Sequence, residues 1–220
     1  MTSPAKRCDV IRQVAGLILA SQTGAGARVA VDGPDASGKT MFADALAADV
    51  RASGRPVVRI SLDDFHNPRA VRYQRGRESP EGFWLNAFNY RRFRSDVLEP
   101  FRPGGTRLYR PVAHDLATDA PLYPEPLVAA PGAVLIVDGL FLLRDELVTA
   151  WDLSIFLDVP FAETAKRMAM RDGTHPDPAH PSIRRYVDAQ RIYFKACRPH
   201  ERADVHIDNQ DLGAPRIIRP

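Results

Sequence analysis

The segment Gly33-Pro-Asp-Ala-Ser-Gly38-Lys39-Thr40 constrains this chain more than any other. It fits G-x-x-x-x-G-K-[ST], the loop that cradles the phosphates of a nucleotide. Average residue usage would place that pattern in roughly one chain of this length per hundred. The flanks narrow the reading further. An apolar run over 28–32 precedes the loop and predicts a strand, and apolar residues at helical spacing over 41–50 predict a helix after it. A phosphate must come close to backbone N–H groups, and side chains at the two glycines would obstruct that approach. The helix start adds the positive end of its dipole. In this pattern the ammonium of Lys39 reaches the β- and γ-phosphates, and the hydroxyl of Thr40 serves Mg²⁺. Gly33, Asp35, Ala36, Ser37, Gly38, Lys39, Thr40 and Met41 are the expected nucleotide-binding set, with ATP and Mg²⁺ as cofactors.

Four more apolar runs, at 57–61, 134–137, 153–157 and 205–207, read as strands covered on both faces. Helical stretches over 40–52, 161–171 and 182–196 alternate with them. Such alternation predicts an α/β three-layer P-loop NTPase fold, with a mostly parallel five-stranded sheet and helices on both faces. The chain reads as a single domain over 1–220. Aspartates close the strands at 32, 63, 138, 158 and 208, the sheet edge where ligands of such folds bind. Asp32, Asp158 and Asp208 read first as caps or turn formers. Asp63 sits after a strand expected to lie beside the P-loop strand.

Residues 64–131 form a long excursion rich in proline and aromatics, including Phe65, Tyr73, Phe83, Trp84, Phe88 and Tyr109. Long insertions in compact domains are usually functional or disordered, and the aromatics argue against disorder. This segment is the expected acceptor-substrate pocket. It should hold a helix over 89–99 and a small hairpin pairing 107–110 with 121–123.

The 30 basic and 27 acidic side chains are mixed along the chain and leave a formal charge of only +3. Arginines gather at 69–77 and 91–94, but no nucleic-acid recognition motif accompanies them. Cys8 and Cys197 have neither metal-ligand spacing nor a disulfide framework, which suits a reducing cytoplasm. The first residues carry no convincing cleavage signature. The weakly amphipathic stretch 10–20 is too short and interrupted to span a bilayer, and reads as a surface helix. His175 and His180 read as loop histidines, separated by prolines and without a ligand cluster.

Taken in order, Gly33–Thr40, Ser61-Leu-Asp-Asp-Phe-His66, Val137-Asp-Gly-Leu140 and the basic helix 165–172 resemble the uridine kinases and their relatives, among them nicotinamide riboside kinase, pantothenate kinase and phosphoribulokinase. The resemblance spans about residues 28–208. It implies that Asp63 faces the acceptor hydroxyl, that Asp138 stands near Mg²⁺, and that Arg167 and Arg171 belong to a lid, here 165–185, that closes over the phosphates. Phosphoryl transfer needs positioning and charge neutralisation, which suits these residue types. A carboxylate beside the attacking hydroxyl can accept its proton. Arginines four apart share a helix face and can fork phosphoryl oxygens. Asp64 competes with Asp63, because neighbours on an extended segment point opposite ways.

The substrate-reading positions depart from uridine kinases. His66 replaces a base-contacting Tyr, and Phe83 falls where an acid binds the ribose. His114-Asp-Leu116 replaces a Tyr-Asp-Phe segment, with Asp119 where its following His would stand. His66, Phe83 and His114, with Asp63, are the expected acceptor contacts. Pro34 and Asp35 are unusual within the loop, and Met41 replaces a common threonine. Asp35 should point to the acceptor side or pair with an arginine. The arginines of 69–77 could read an anionic acceptor or form a solvated flank, and both readings stay open. The expected activity is ATP-dependent phosphoryl transfer to a hydroxyl of a small metabolite, a nucleoside first. A non-nucleoside acceptor or a nucleotide-binding regulatory ATPase are the alternatives. Members of that family are often oligomers, and no surface stripe in this sequence marks an interface.

Overall fold

The computed structural model describes residues 6–20 and 26–220. The reading of the chain start at 1–5 lies outside the described residues. In chain order come α1 (Arg7–Ala20), β1 (Arg28–Asp32), α2 (Lys39–Ala52), β2 (Val57–Ser61) and a 3₁₀ turn, Leu62–Phe65. The insertion follows, with short helices α3 (Arg69–Arg72), α4 (Pro80–Asn86) and α5 (Tyr90–Phe93), then two-residue strands β3 (Leu108–Tyr109), β4 (His114–Asp115), β5 (Ala120–Pro121) and β6 (Leu127–Val128). The chain returns through β7 (Val134–Asp138), β8 (Leu153–Asp158), α6 (Phe161–Asp172), α7 (Pro181–Cys197), α8 (Pro199–Arg202), β9 (Val205–Asp208) and β10 (Arg216–Arg219).

The central sheet has six strands in the order β10-β9-β8-β1-β7-β2. The five strands expected from the sequence, β1, β2, β7, β8 and β9, pair in parallel, and β10 adds an antiparallel edge. One neighbour relation differs from expectation: β7 lies between β1 and β2. The side chains explain it. Every residue of β7 is buried, which suits a strand paired on both sides, whereas only Ile60 of β2 is buried and Arg59 interrupts it. A charged, half-covered strand belongs at an edge.

One face of the sheet is covered by α1 and α2. Val14, Phe42, Leu46 and Val50 pack there on Val29, Val31 and Ile136. On the other face, Phe65, Phe93 and Phe141 from the insertion side meet Phe156 and Tyr193. Phe141, with φ of 65°, sits among Phe83, Trp84, Phe88 and Tyr193 at ring separations of 4.8–6.3 Å. That aromatic knot fastens the insertion to α7. Within the insertion, β3 pairs with β6 and β4 with β5, so the expected pairing of 107–110 with 121–123 does not form. The expected helix over 89–99 starts with the Asn89 side chain accepting from Arg92 N, then widens into a π turn at Arg94–Leu98. No helix among the described residues is long and apolar enough to cross a membrane.

Candidate active site

The site starts at the end of β1. Asp32 is fully buried; its carboxylate accepts from Gly33 N (2.7 Å), Leu143 N (3.1 Å) and the Tyr193 hydroxyl. It anchors the first peptide of the P-loop. Burial pushes its carboxyl from 3.8 up to about 6, against the lowering effect of these donors and of Lys39. The native state therefore holds this proton more firmly than the unfolded chain does. Its stabilising contribution is complete below about pH 4 and is lost as pH rises through about 6, an effect on the order of 3 kcal/mol. The Asp32→Asn variant should lack this dependence. In urea unfolding, the stability of wild type relative to Asp32→Asn should fall by about that amount between pH 4 and pH 7. A difference that stays flat across this range would refute the assignment.

The loop needs unusual backbone angles. Gly38 has φ of 91°, where a side chain would be strained, and a Cβ on Gly33 would lie 2.6 Å from the Leu157 carbonyl oxygen. The Lys39 ammonium donates to the carbonyls of Gly33 (3.0 Å) and Pro34 (2.7 Å), so it lies over the loop. Ala36 takes φ of 54°, and the buried Ser37 has its carbonyl held by the Asn209 amide at 2.7 Å. Met41 is exposed on the first turn of α2, and its carbonyl accepts from Arg7 at 2.8 Å.

Two oxygen donors meet beside the loop. Thr40 Oγ1 donates to Asp138 Oδ2 at 2.6 Å, at the carboxyl end of β7. Arg59 from β2 binds the other Asp138 oxygen at 2.9 Å and the Ile136 carbonyl at 2.9 Å. Hard oxygen donors suit Mg²⁺, which usually takes one or two protein ligands and completes its shell with phosphate and water. Among the described residues no cluster of three or more His, Cys, Asp or Glu could hold a metal alone. The pair Thr40 and Asp138 fits that sparse mode.

Asp63 and Asp64 sit on the 3₁₀ turn rather than on extended chain, with Ser61 Oγ accepting from Asp63 N at 3.4 Å. The turn, not strand alternation, sends them different ways. Asp63 lines a cavity of about 260 Å³, together with Asp35, His66, Phe83, Arg185 and Tyr186. Asp64 is not in that lining. Burial, then Asp63 and Asp138, push its carboxyl up. Asp35 points into the same cavity from the P-loop. It is fixed by Gln190 of α7, whose amide donates to Asp35 Oδ2 (3.1 Å) and accepts from Asp35 N (2.9 Å). Asp35 thus faces the same cavity as Asp63, with a glutamine rather than an arginine as its tether.

His66 lies 2.7 Å from the Asp63 carbonyl through Nδ1 and packs on Phe88, and burial lowers its pKa. His114 does not join the cavity. It is buried on β4 with Nε2 3.2 Å from Asp119 Oδ1, so its ring points into the insertion. Asp119 also accepts from Arg69 N and Arg72 and so pins α3. The two arginines of α6 separate in role. Arg167 binds Glu163 and the carbonyls of Ala36 (3.4 Å), Asn209 (3.2 Å) and Gln210 (2.7 Å), stitching α6 to the loop. Arg171, near the outer end of α6, pairs with Asp172 at 2.7 Å. Its charge acts on Asp35. His175 and His180 stack on each other at 4.0 Å, and His180 caps α7.

Arg59, Arg185, Gln190 and Asn209 reach the site without a sequence signal. Each lies outside the motifs and arrives through sheet order or the packing of α7. Arg59, for instance, is placed by the register of β2 on β7.

No protein-family model matches the sequence, and no curated protein is significantly similar to it. Solved structures are similar in fold. A protein described as a possible uridine kinase from Bacillus stearothermophilus aligns over 90% of this chain and 97% of its own, with 23% identity and a TM-score of 0.71. A protein provisionally named a fructose transport system kinase, from Silicibacter sp. TM1040, aligns over 85% and 95%, with 24% identity and a TM-score of 0.63. The D-glycerate 3-kinase of Cryptococcus neoformans var. grubii aligns over 86% and 88%, with 13% identity and a TM-score of 0.57. At these identities the likeness is one of fold: the chain shares the α/β architecture of these solved structures, with a mostly parallel sheet between helices.

Proposed function

We propose that this protein is a cytoplasmic, ATP- and Mg²⁺-dependent kinase that phosphorylates a hydroxyl of a small metabolite. One observation carries the reading: Asp63 and the P-loop residue Asp35 line the same cavity. A carboxylate fit to receive a proton thus opens onto the space beside the phosphate loop. The kinases of similar fold support it.

The residues divide the work. Backbone amides of the loop and Lys39 hold the β- and γ-phosphates, and Arg167 fixes the loop against α6. Thr40 and Asp138 would hold Mg²⁺, which neutralises phosphate charge when bound. Arg59 keeps one Asp138 oxygen occupied and so orients the carboxylate. Asp63 accepts the acceptor's hydroxyl proton as the oxygen attacks the γ-phosphorus. A new P–O bond forms, the bond from the γ-phosphorus to the β–γ bridging oxygen breaks, and ADP leaves with that electron pair. Arg171 lies near enough to act on Asp35 and is a candidate to reach the transferring group on closure.

A regulatory ATPase needs no acceptor cavity beside its loop, so the cavity favours a kinase. The test is ADP release with and without candidate acceptors. At least one small hydroxyl compound should raise turnover well above the rate with ATP alone. Turnover indifferent to every acceptor would favour the regulatory reading.

A further inference from the structure

The acceptor cavity is divided by charge. Asp63 is among the groups that act on Asp35, while Arg72, Arg77 and Arg185 are the guanidiniums that act on Tyr73. These arginines differ in how they are compensated. Arg72 is committed to Asp119 (3.3 Å) and the Asn67 carbonyl (2.7 Å). Arg185 has no carboxylate partner among the described residues. Its donors go to the Tyr186 hydroxyl at 2.7 Å, the Arg77 carbonyl and the Tyr73 side chain, and its guanidinium rests 4.4 Å over the Tyr186 ring, 5.5 Å from that of Tyr73 and 5.8 Å from Phe83. It is half-buried on the cavity wall, not splayed into solvent.

A second concavity adjoins the first, with a volume of about 430 Å³. It shares Arg72, Tyr73 and Leu116 with the acceptor cavity and adds Arg69 and Arg77. Neither added arginine has a carboxylate ion pair among the described residues. Both are exposed, so the desolvation cost falls on Arg185: a partly desolvated guanidinium without a counter-charge is costly, and a bound anion relieves that cost with charge-assisted, fork-like hydrogen bonds.

We propose that the acceptor is anionic: a small hydroxyl compound bearing a carboxylate or phosphate that Arg185 binds, with Arg77 and Arg69 extending the positive wall. The proposal rests on the kinase reading and deepens it. The hydroxyl is presented to Asp63 while the anionic group engages the guanidiniums. Arg185 is then a specificity-determining residue, and its ring contacts with Tyr186 and Phe83 hold its fork in place.

ADP release is measured with acceptors in three arms: hydroxy and sugar acids, sugar phosphates, and neutral sugars and nucleosides. An anionic arm should be turned over with kcat/KM at least about tenfold above its neutral counterparts, and whichever arm responds identifies carboxylate or phosphate. Arg185→Gln should raise KM for that acceptor on the order of 10- to 100-fold with a smaller change in kcat, and Arg185→Lys should recover part of the loss. Thermal unfolding of both variants verifies that they are folded. Best turnover of a neutral acceptor, or an Arg185→Gln effect equal across all arms, overturns the proposal and leaves the kinase reading intact. Absence of stimulation by any acceptor overturns both.

Discussion

Replacing Asp63 by Asn is expected to lower kcat by about 10²- to 10⁴-fold while nucleotide affinity stays nearly intact. The substitution keeps the size and polarity of the side chain but removes its ability to take a proton. Asp63 lines the cavity beside the P-loop, and the Lys39, Thr40 and Asp138 contacts are made without it. Nucleotide binding followed by fluorescence, beside acceptor-dependent turnover, separates the two effects. If turnover survives, Asp63 is not the proton acceptor. Asp64 is then the next carboxylate on the same turn to examine, since it stands within the electrostatic reach of Asp138.

The second large effect belongs to Lys39. Its ammonium bridges the carbonyls of Gly33 and Pro34 over the loop, which is where β- and γ-phosphates of a P-loop nucleotide lie. Lys39→Met removes the charge and keeps most of the apolar stem. Loss of one preorganised electrostatic contact to a transferring group costs on the order of 10²- to 10³-fold in kcat. Here nucleotide affinity should fall as well, in contrast to Asp63→Asn. Steady-state kinetics with ATP as the varied substrate would show both changes. A variant with unaltered KM for ATP would mean that Lys39 stays folded onto the loop during the reaction.

Local pattern carried much of this structure. Strands β1, β7 and β8 are apolar because both faces are covered, so they stand out as runs even without neighbours for comparison. The P-loop was legible for the same kind of reason, since its glycines, lysine and threonine act within a few residues of each other. Relations set by long-range packing were not. The place of β7 between β1 and β2 depends on which strand can be buried on both sides. The pairings β3–β6 and β4–β5 involve two-residue strands too short to show any period. Strand β10 carries no apolar run in the sequence, because Arg216 and Arg219 bracket its two isoleucines.

Within the site the same boundary holds. Asp138 closes β7 and Asp63 follows the end of β2, so both are readable as carboxylates at the ligand edge. Their partners were not, because Arg59 needs the register of β2 on β7, and Gln190 needs the approach of α7 to the loop. His114 shows the opposite error. Its motif position suggested an acceptor contact, yet the β4–β5 pairing leaves it buried beside Asp119. Sequence alone does not separate Asp63 from Asp64, because an extended segment and a 3₁₀ turn share the same residues. The 3₁₀ turn, capped by Ser61, resolves which one enters the cavity.

The most direct measurement is mass spectrometry of the acceptor panel after incubation with the protein, ATP and Mg²⁺. A small hydroxyl compound should gain one phosphoryl group, and the product should disappear when Asp63→Asn replaces the native protein. ATP consumed with no phosphorylated acceptor, or product formed equally by the variant, would contradict a kinase whose phosphate loop and proton-accepting carboxylate share one cavity.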